Sequence, residues 1–257
     1  SGFMSQQWAC SMTDKCIVLE DDVVPSPTFF TFCKEMLDRY EHDERVGMIA
    51  GFNTDERTPD VCDDYFFTTN FSIWGWPSWS RVIGKRSADY AFLDDAEAVS
   101  RLQALTEERK LRRDFLPMCQ AHRLSGKAYF ETIFQSQLLL QSQMTIVPRV
   151  NMINNVGVTD DSTHFAGSIS TLPHGYRRIF TMGRYDLVFP LKHPRYVVEH
   201  VEYRHRVYRT MGWRSPWIKV GRSLEELYLN VKHGNWAFIA QSVRNRIRKW
   251  MGKTAYR

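Results

Sequence analysis

The chain has 257 residues, enough for one large domain or two smaller ones with a proper core. A hydrophobic content of 43% and an aromatic content of 14% exclude a disordered chain, and no apolar run is long enough to read as a transmembrane helix. The formal net charge of +5 hides an asymmetry: residues 1–100 carry 18 acids against 8 bases, whereas from Leu227 onward there are seven Lys or Arg and no acid. Five cysteines without a CxxC pair argue against a zinc site and a disulfide framework. They read as reduced thiols of a cytosolic protein.

In chain order, Cys16–Leu19 reads as a short buried strand ending at three consecutive acids. Ser26-Pro27 supplies an N-cap and a first-turn proline for a helix over 27–40, with Phe29, Phe32, Cys33, Met36, Leu37 and Tyr40 at helical spacing. Met48–Phe52 and Tyr65–Phe71 read as strands, residues 94–113 as a helix and 128–143 as a second strong helix. Thr145–Val147 and Val150–Ile153 are short strand candidates around Pro148. Strands alternating with helices predict an α/β fold with a mostly parallel sheet.

Four stretches carry chemistry. Glu20-Asp21-Asp22 stands at a strand end, where ligands gather in α/β sheets. A solvated turn accounts for three acids without function. A bound magnesium or manganese ion accounts for them with one, since carboxylates are hard ligands that share such ions with substrate phosphates. The segment 71–79, FSIWGWPSW, places Trp74, Trp76 and Trp79 around Gly75 and Pro77, which predicts a shaped loop. Its indoles either pack in the core or offer faces to sugar rings. Glu131 lies in the first turn of the helix from 128, where a helix dipole favours a carboxylate and where a general base aimed into a cleft is also at home. Residues 154–164, NNVGVTDDSTH, read as a polar loop whose His164 is either a solvated residue or a metal or diphosphate contact.

The order of these motifs resembles bacterial nucleotide-sugar glycosyltransferases of the GT-A fold, family-2-like members of polysaccharide and lipopolysaccharide clusters. The likeness covers roughly residues 5–165. It implies a Rossmann-like, mostly parallel sheet flanked by helices over 1–165, with 166–257 as a basic helical extension. It also implies that Glu20-Asp21-Asp22 is the acidic donor-site motif. Asp22 and His164 would then hold Mn2+ or Mg2+ against the diphosphate, Asp21 would lie near the ribose or donor sugar, and Glu20 would support them. Glu131 falls where such enzymes carry the acceptor-activating base, and Trp74, Gly75 and Trp76 would shape the acceptor side. A single Glu with no second carboxylate nucleophile favours an inverting reaction.

Members of that family carry about a hundred residues before the acidic motif. Only 19 precede Glu20 here, so the expectation is a chain lacking the N-terminal nucleotide-binding portion, and weak in transfer on its own. An inactive sugar- or metal-binding remnant is the alternative.

The C-terminal part reads differently. Residues 223–232 and 236–251 are amphipathic, and the second segment combines tryptophans with Arg244, Arg246, Arg248 and Lys249. A basic amphipathic helix suits either packing on the catalytic domain or lying on an anionic membrane surface. The latter fits a lipid-linked acceptor at the inner face of a membrane. Nucleic-acid binding is the rival from another class. Only the basic, aromatic tail permits it, with no helix-turn-helix, zinc-finger or RNA-recognition pattern in support.

Overall fold

The computed structural model describes residues 2–157 and 169–250. The chain enters through α1 (Gly2–Met12), then β1 (Lys15–Val18), β2 (Val23–Pro25), α2 (Phe29–Arg39), β3 (Val46–Ile49), β4 (Tyr65–Thr68) and β5 (Trp76–Trp79). There follow α3 (Ser80–Ile83), α4 (Ala96–Leu105), α5 (Arg109–Ser125), α6 (Phe130–Leu140), β6 (Met144–Pro148) and β7 (Ile153–Asn155). The last elements are α7 (His174–Thr181), α8 (Val201–Thr210), α9 (Pro216–Lys232) and α10 (Trp236–Trp250).

The helices follow their local signals. α2 buries Phe29, Phe32, Cys33, Met36 and Leu37, the stripe read from spacing. Its cap differs from expectation. Thr28 rather than Ser26 is the N-cap, and the Asp186 carboxylate accepts the Thr28 amide at 3.0 Å, so a distant residue satisfies the exposed donor. The single helix expected over 94–113 is two helices. Asp95 caps α4 by accepting the amides of Glu97 and Ala98, and the chain breaks at Thr106, whose carbonyl accepts from the Arg112 guanidinium. Gly126, at φ +66°, ends α5.

The mostly parallel, Rossmann-like sheet does not form. Among the described residues the strands gather in three small sheets: β1 with β5, β2 with β7, and β3-β6-β4. Three of the four pairings are antiparallel, and only β3 with β6 is parallel. Each parallel neighbour needs a crossover of a dozen or more residues, usually a helix. Here β3, β4 and β5 follow one another with no helix between them, and a two-residue turn separates Glu20 from Val23 at the start of β2. β1 is accordingly half-buried along its length, not the fully buried strand that its apolar residues predict.

A single cut near 165 is the sequence expectation, but the compact units interleave along the chain. Ser1–Val156 and Met182–Arg214 form one, and Gly157–Thr181 with Ser215–Arg257 form the other. The first holds the strands and the larger core. One cluster joins Phe3, Tyr90, Leu102, Leu111, Phe115, Leu116, Cys119, Ile133 and Tyr208. Another sets Phe66 and Val147 of the sheet against Tyr203 and Val207 of α8. In the second unit α7 and α9 flank a cavity of about 470 Å³ lined by Tyr176, Phe180, Lys219, Arg222, Ser223 and Glu226.

Candidate functional site

The acidic run forms a turn. The chain leaves β1 at Val18, the Val23 amide closes back onto the Glu20 carbonyl at 3.1 Å, and β2 begins. Glu20 and Asp22 are half-buried and Asp21 is exposed. β2 pairs with β7, Val23 opposite Asn155, and the next amide along, that of Val156, donates to the Asp22 carbonyl at 2.8 Å. The Asp22 side chain is among those with a buried polar atom left unsatisfied. Its Oδ1 is shut off from solvent and accepts no hydrogen bond. A carboxylate oxygen removed from water without a donor costs on the order of 1–3 kcal/mol or more, so the arrangement suits a cation, which needs no donor.

The β1–β5 ladder brings the tryptophan segment to this turn. Val18 faces Trp76, and one step on, Gly75 meets Leu19. Gly75 is a true requirement. Its φ is +59°, and a Cβ there would lie 2.6 Å from Ile153 Cδ1. Its carbonyl accepts from the Gly51 amide at 2.8 Å. The three tryptophans divide by role. Trp76 and Trp79 belong to β5 rather than to a loop, and both are buried. Trp76 rests on Phe134 at 5.0 Å and Phe130 at 6.5 Å between ring centroids, so it offers no face to a sugar and shapes the site from beneath. Trp74 is half-buried, edge-on to Phe52 at 4.8 Å, and retains exposed surface.

Glu131 lies in the first turn of α6, next to the Phe130 that stacks on Trp76. The tryptophan strand thus has the acidic turn beside its start and the Glu131 helix against its buried face. Glu131 also has a neighbour that the sequence reading passed over. His122 stacks on Tyr129 at 3.9 Å, and its Nδ1 lies 2.8 Å from Thr132 Oγ1. Burial lowers the His122 pKa, and the Glu131 carboxylate partly holds it up.

His164 lies outside the described residues. β7 is pinned to the acidic turn through Val156.

The structure adds residues that spacing did not reveal. Asn151, fully buried, donates to the carbonyls of Ile153 and Gly183 and accepts the Asn53 amide. Asn53, also fully buried, donates to Thr58 Oγ1 and the Pro148 carbonyl. These paired asparagines fix the entry to β7. Asn154 Nδ2 and Glu56 Oε1 then hold the 182–185 segment against it. That segment brings Arg184, whose guanidinium donates to the Val24 carbonyl at 3.1 Å, so a cation stands two residues from Asp22. The sequence signal was only a buried-asparagine pattern in GFN and VNMINN, which periodicity does not register.

A second acidic group lies elsewhere in the same unit. Glu107, Glu108 and His205 offer ligand atoms within 4.8 Å of one another. Glu107 Oε2 already meets His205 Nε2 and Arg204 Nη1, each at 3.3 Å, and Arg204 Nε meets Glu199 at 3.1 Å. Glu107, His205 and Arg204 thus form an ion-pair network bordering a cavity of about 430 Å³, while Glu108 keeps Oε2 buried without a hydrogen-bond partner, and no metal is assigned to the group.

No helix among the described residues is long and apolar enough to cross a membrane. No family model and no curated protein matches the chain.

Proposed function

We propose that the protein transfers a sugar from a nucleoside-diphosphate donor to a hydroxyl of a glycan or lipid-linked acceptor, with inversion at the anomeric carbon. The observation that carries this reading is the buried, unpartnered Oδ1 of Asp22 in an acidic turn beside a tryptophan segment. Asp22 is the residue fitted to hold Mn2+ or Mg2+. When bound, the ion supplies positive charge to the diphosphate that leaves.

The chain's own residues do the rest. Asp21, exposed on the turn, faces the donor sugar or ribose, and Glu20 supports the turn. Arg184 adds a cation on the β2 side. Trp74 presents its indole to the acceptor sugar, while Gly75 and buried Trp76 set its position. Glu131 takes the proton as the acceptor oxygen bonds to the anomeric carbon and the bond from that carbon to the diphosphate oxygen breaks. The leaving nucleoside diphosphate keeps the electron pair.

Calorimetric titration of UDP and of GDP, with and without MnCl2, tests the donor side. Metal-dependent binding of one of them, lost in Asp22→Asn, is the expected result. Binding indifferent to Mn2+ and to that substitution overturns the reading. Proton NMR of the first-formed product tests inversion, and a retained anomer removes Glu131 from the base role.

A further inference from the structure

The second compact unit carries a helix whose amphipathicity runs the opposite way from that of a core helix. In α9 the apolar residues Trp217, Val220, Leu224, Leu227, Tyr228 and Val231 are all exposed, Trp217 by 78% and Leu224 by 63%. At 3.6 residues per turn these six positions fall within an arc of about 100°. The charged residues occupy the other side. Lys219, Arg222 and Glu226 line the cavity toward α7, Arg222 lies over the Tyr176 ring at 4.4 Å, and Glu225 accepts the His174 amide at 2.9 Å. A soluble helix normally turns its stripe inward. α10 repeats the pattern, with Trp236, Val243 and Ile247 exposed at the same helical spacing. Solvent-exposed apolar surface of this extent marks a contact surface.

Charge selects the occupant. Both acids of α9 sit on or toward its inward side. Past them, Lys232, Arg244 and Arg246 are exposed, and no acid follows to the end of the chain. Tryptophans stand near the start of each stripe, the residue type that settles at a headgroup boundary. We infer that α9 and α10 dock this unit on an anionic lipid surface, their apolar stripes entering the headgroup boundary and their cations meeting lipid phosphates. This inference is independent of the sugar-transfer reading.

The test is flotation of the full chain with vesicles of phosphatidylcholine alone and of phosphatidylcholine with phosphatidylglycerol in equal parts. The protein is expected to float with the anionic vesicles. Leu224→Glu with Leu227→Glu, at positions already exposed, is expected to cut that partition by at least about tenfold while the circular dichroism spectrum is unchanged. Lys232→Glu with Arg244→Glu and Arg246→Glu is expected to abolish the preference for anionic vesicles. Equal flotation with both vesicle types, or no flotation with either, overturns the inference. So does a wild-type dimer in light scattering that the leucine variants disperse without any effect on flotation, because the stripes would then be a self-association face.

Discussion

The main-chain amide of Val156 donates to the carbonyl of Asp22 at 2.8 Å, while the Asp22 side chain keeps a buried oxygen without a donor. The backbone of the acidic turn is thus satisfied by the strand that leads to the NNVG loop, and its carboxylate is left open.

Asp22→Asn removes an unpaired charge from a half-buried place. Without metal, its stability is expected within about 1 kcal/mol of wild type or above it, since no partner is orphaned by the change. With MnCl2 at about a hundred times its dissociation constant, wild type is expected to gain roughly 2.7 kcal/mol and the variant nothing. Urea denaturation with and without Mn2+ reads both arms. An equal Mn2+ gain in the two proteins places the ion elsewhere.

The tryptophans differ in burial, Trp76 and Trp79 being enclosed and Trp74 half-exposed. Trp76→Ala empties a fully buried site against Phe130 and Phe134 and is expected to cost about 3–5 kcal/mol. Trp74→Ala is expected to cost under about 2 kcal/mol, its ring being only half-buried, and to weaken acceptor use instead. Thermal melts beside acceptor saturation curves check the split. A large loss of stability in Trp74→Ala with unchanged acceptor use would place that indole in the core as well.

Glu131 bears on the titration of His122. The imidazole pKa is lowered by burial and partly restored by the carboxylate, so Glu131→Gln is expected to lower it further. The direction sets the pH effect. A base held neutral by folding binds more protons unfolded than folded, so stability falls as pH drops through the ordinary imidazole range. The variant should show the steeper fall. The His122 ring proton shift in an NMR pH series measures the pKa, and an unmoved midpoint would mean that Glu131 does not face His122.

Cys10 and Cys16 hold their sulfurs 3.3 Å apart, and burial pushes the Cys16 thiol up to about 12. The thiolate is the nucleophile, so Cys16 is expected to alkylate far more slowly than exposed Cys62 at pH 8. Mass-spectrometric mapping of iodoacetamide adducts over time checks the order. Rapid labelling of Cys16 would show that β1 opens readily.

Much of the local structure was legible. The α2 stripe and the two C-terminal amphipathic segments repeat at spacings that a helix converts directly into a face, whereas the break between α4 and α5 was not legible. The acids were legible as a turn at a strand end. Which of Glu20, Asp21 and Asp22 keeps a buried, open oxygen was less so, since that depends on contacts from distant parts of the chain. Likewise, nothing in FSIWGWPSW distinguished Trp76 from Trp74. The β1–β5 register did, by turning one into the core and leaving the other at the rim.

By itself the sequence determined where the amphipathic helix stripes lie and where acids and bases concentrate, because these follow from neighbours within a few positions. Only the tertiary structure decided that the strands pair mostly antiparallel, that Asp22 alone of the three acids keeps a buried open oxygen, and that the α9 stripe faces solvent. Each of those depends on contacts between residues far apart in the chain. Pairing direction is set by how the connections return, and burial by what arrives from elsewhere, neither of which a local period encodes.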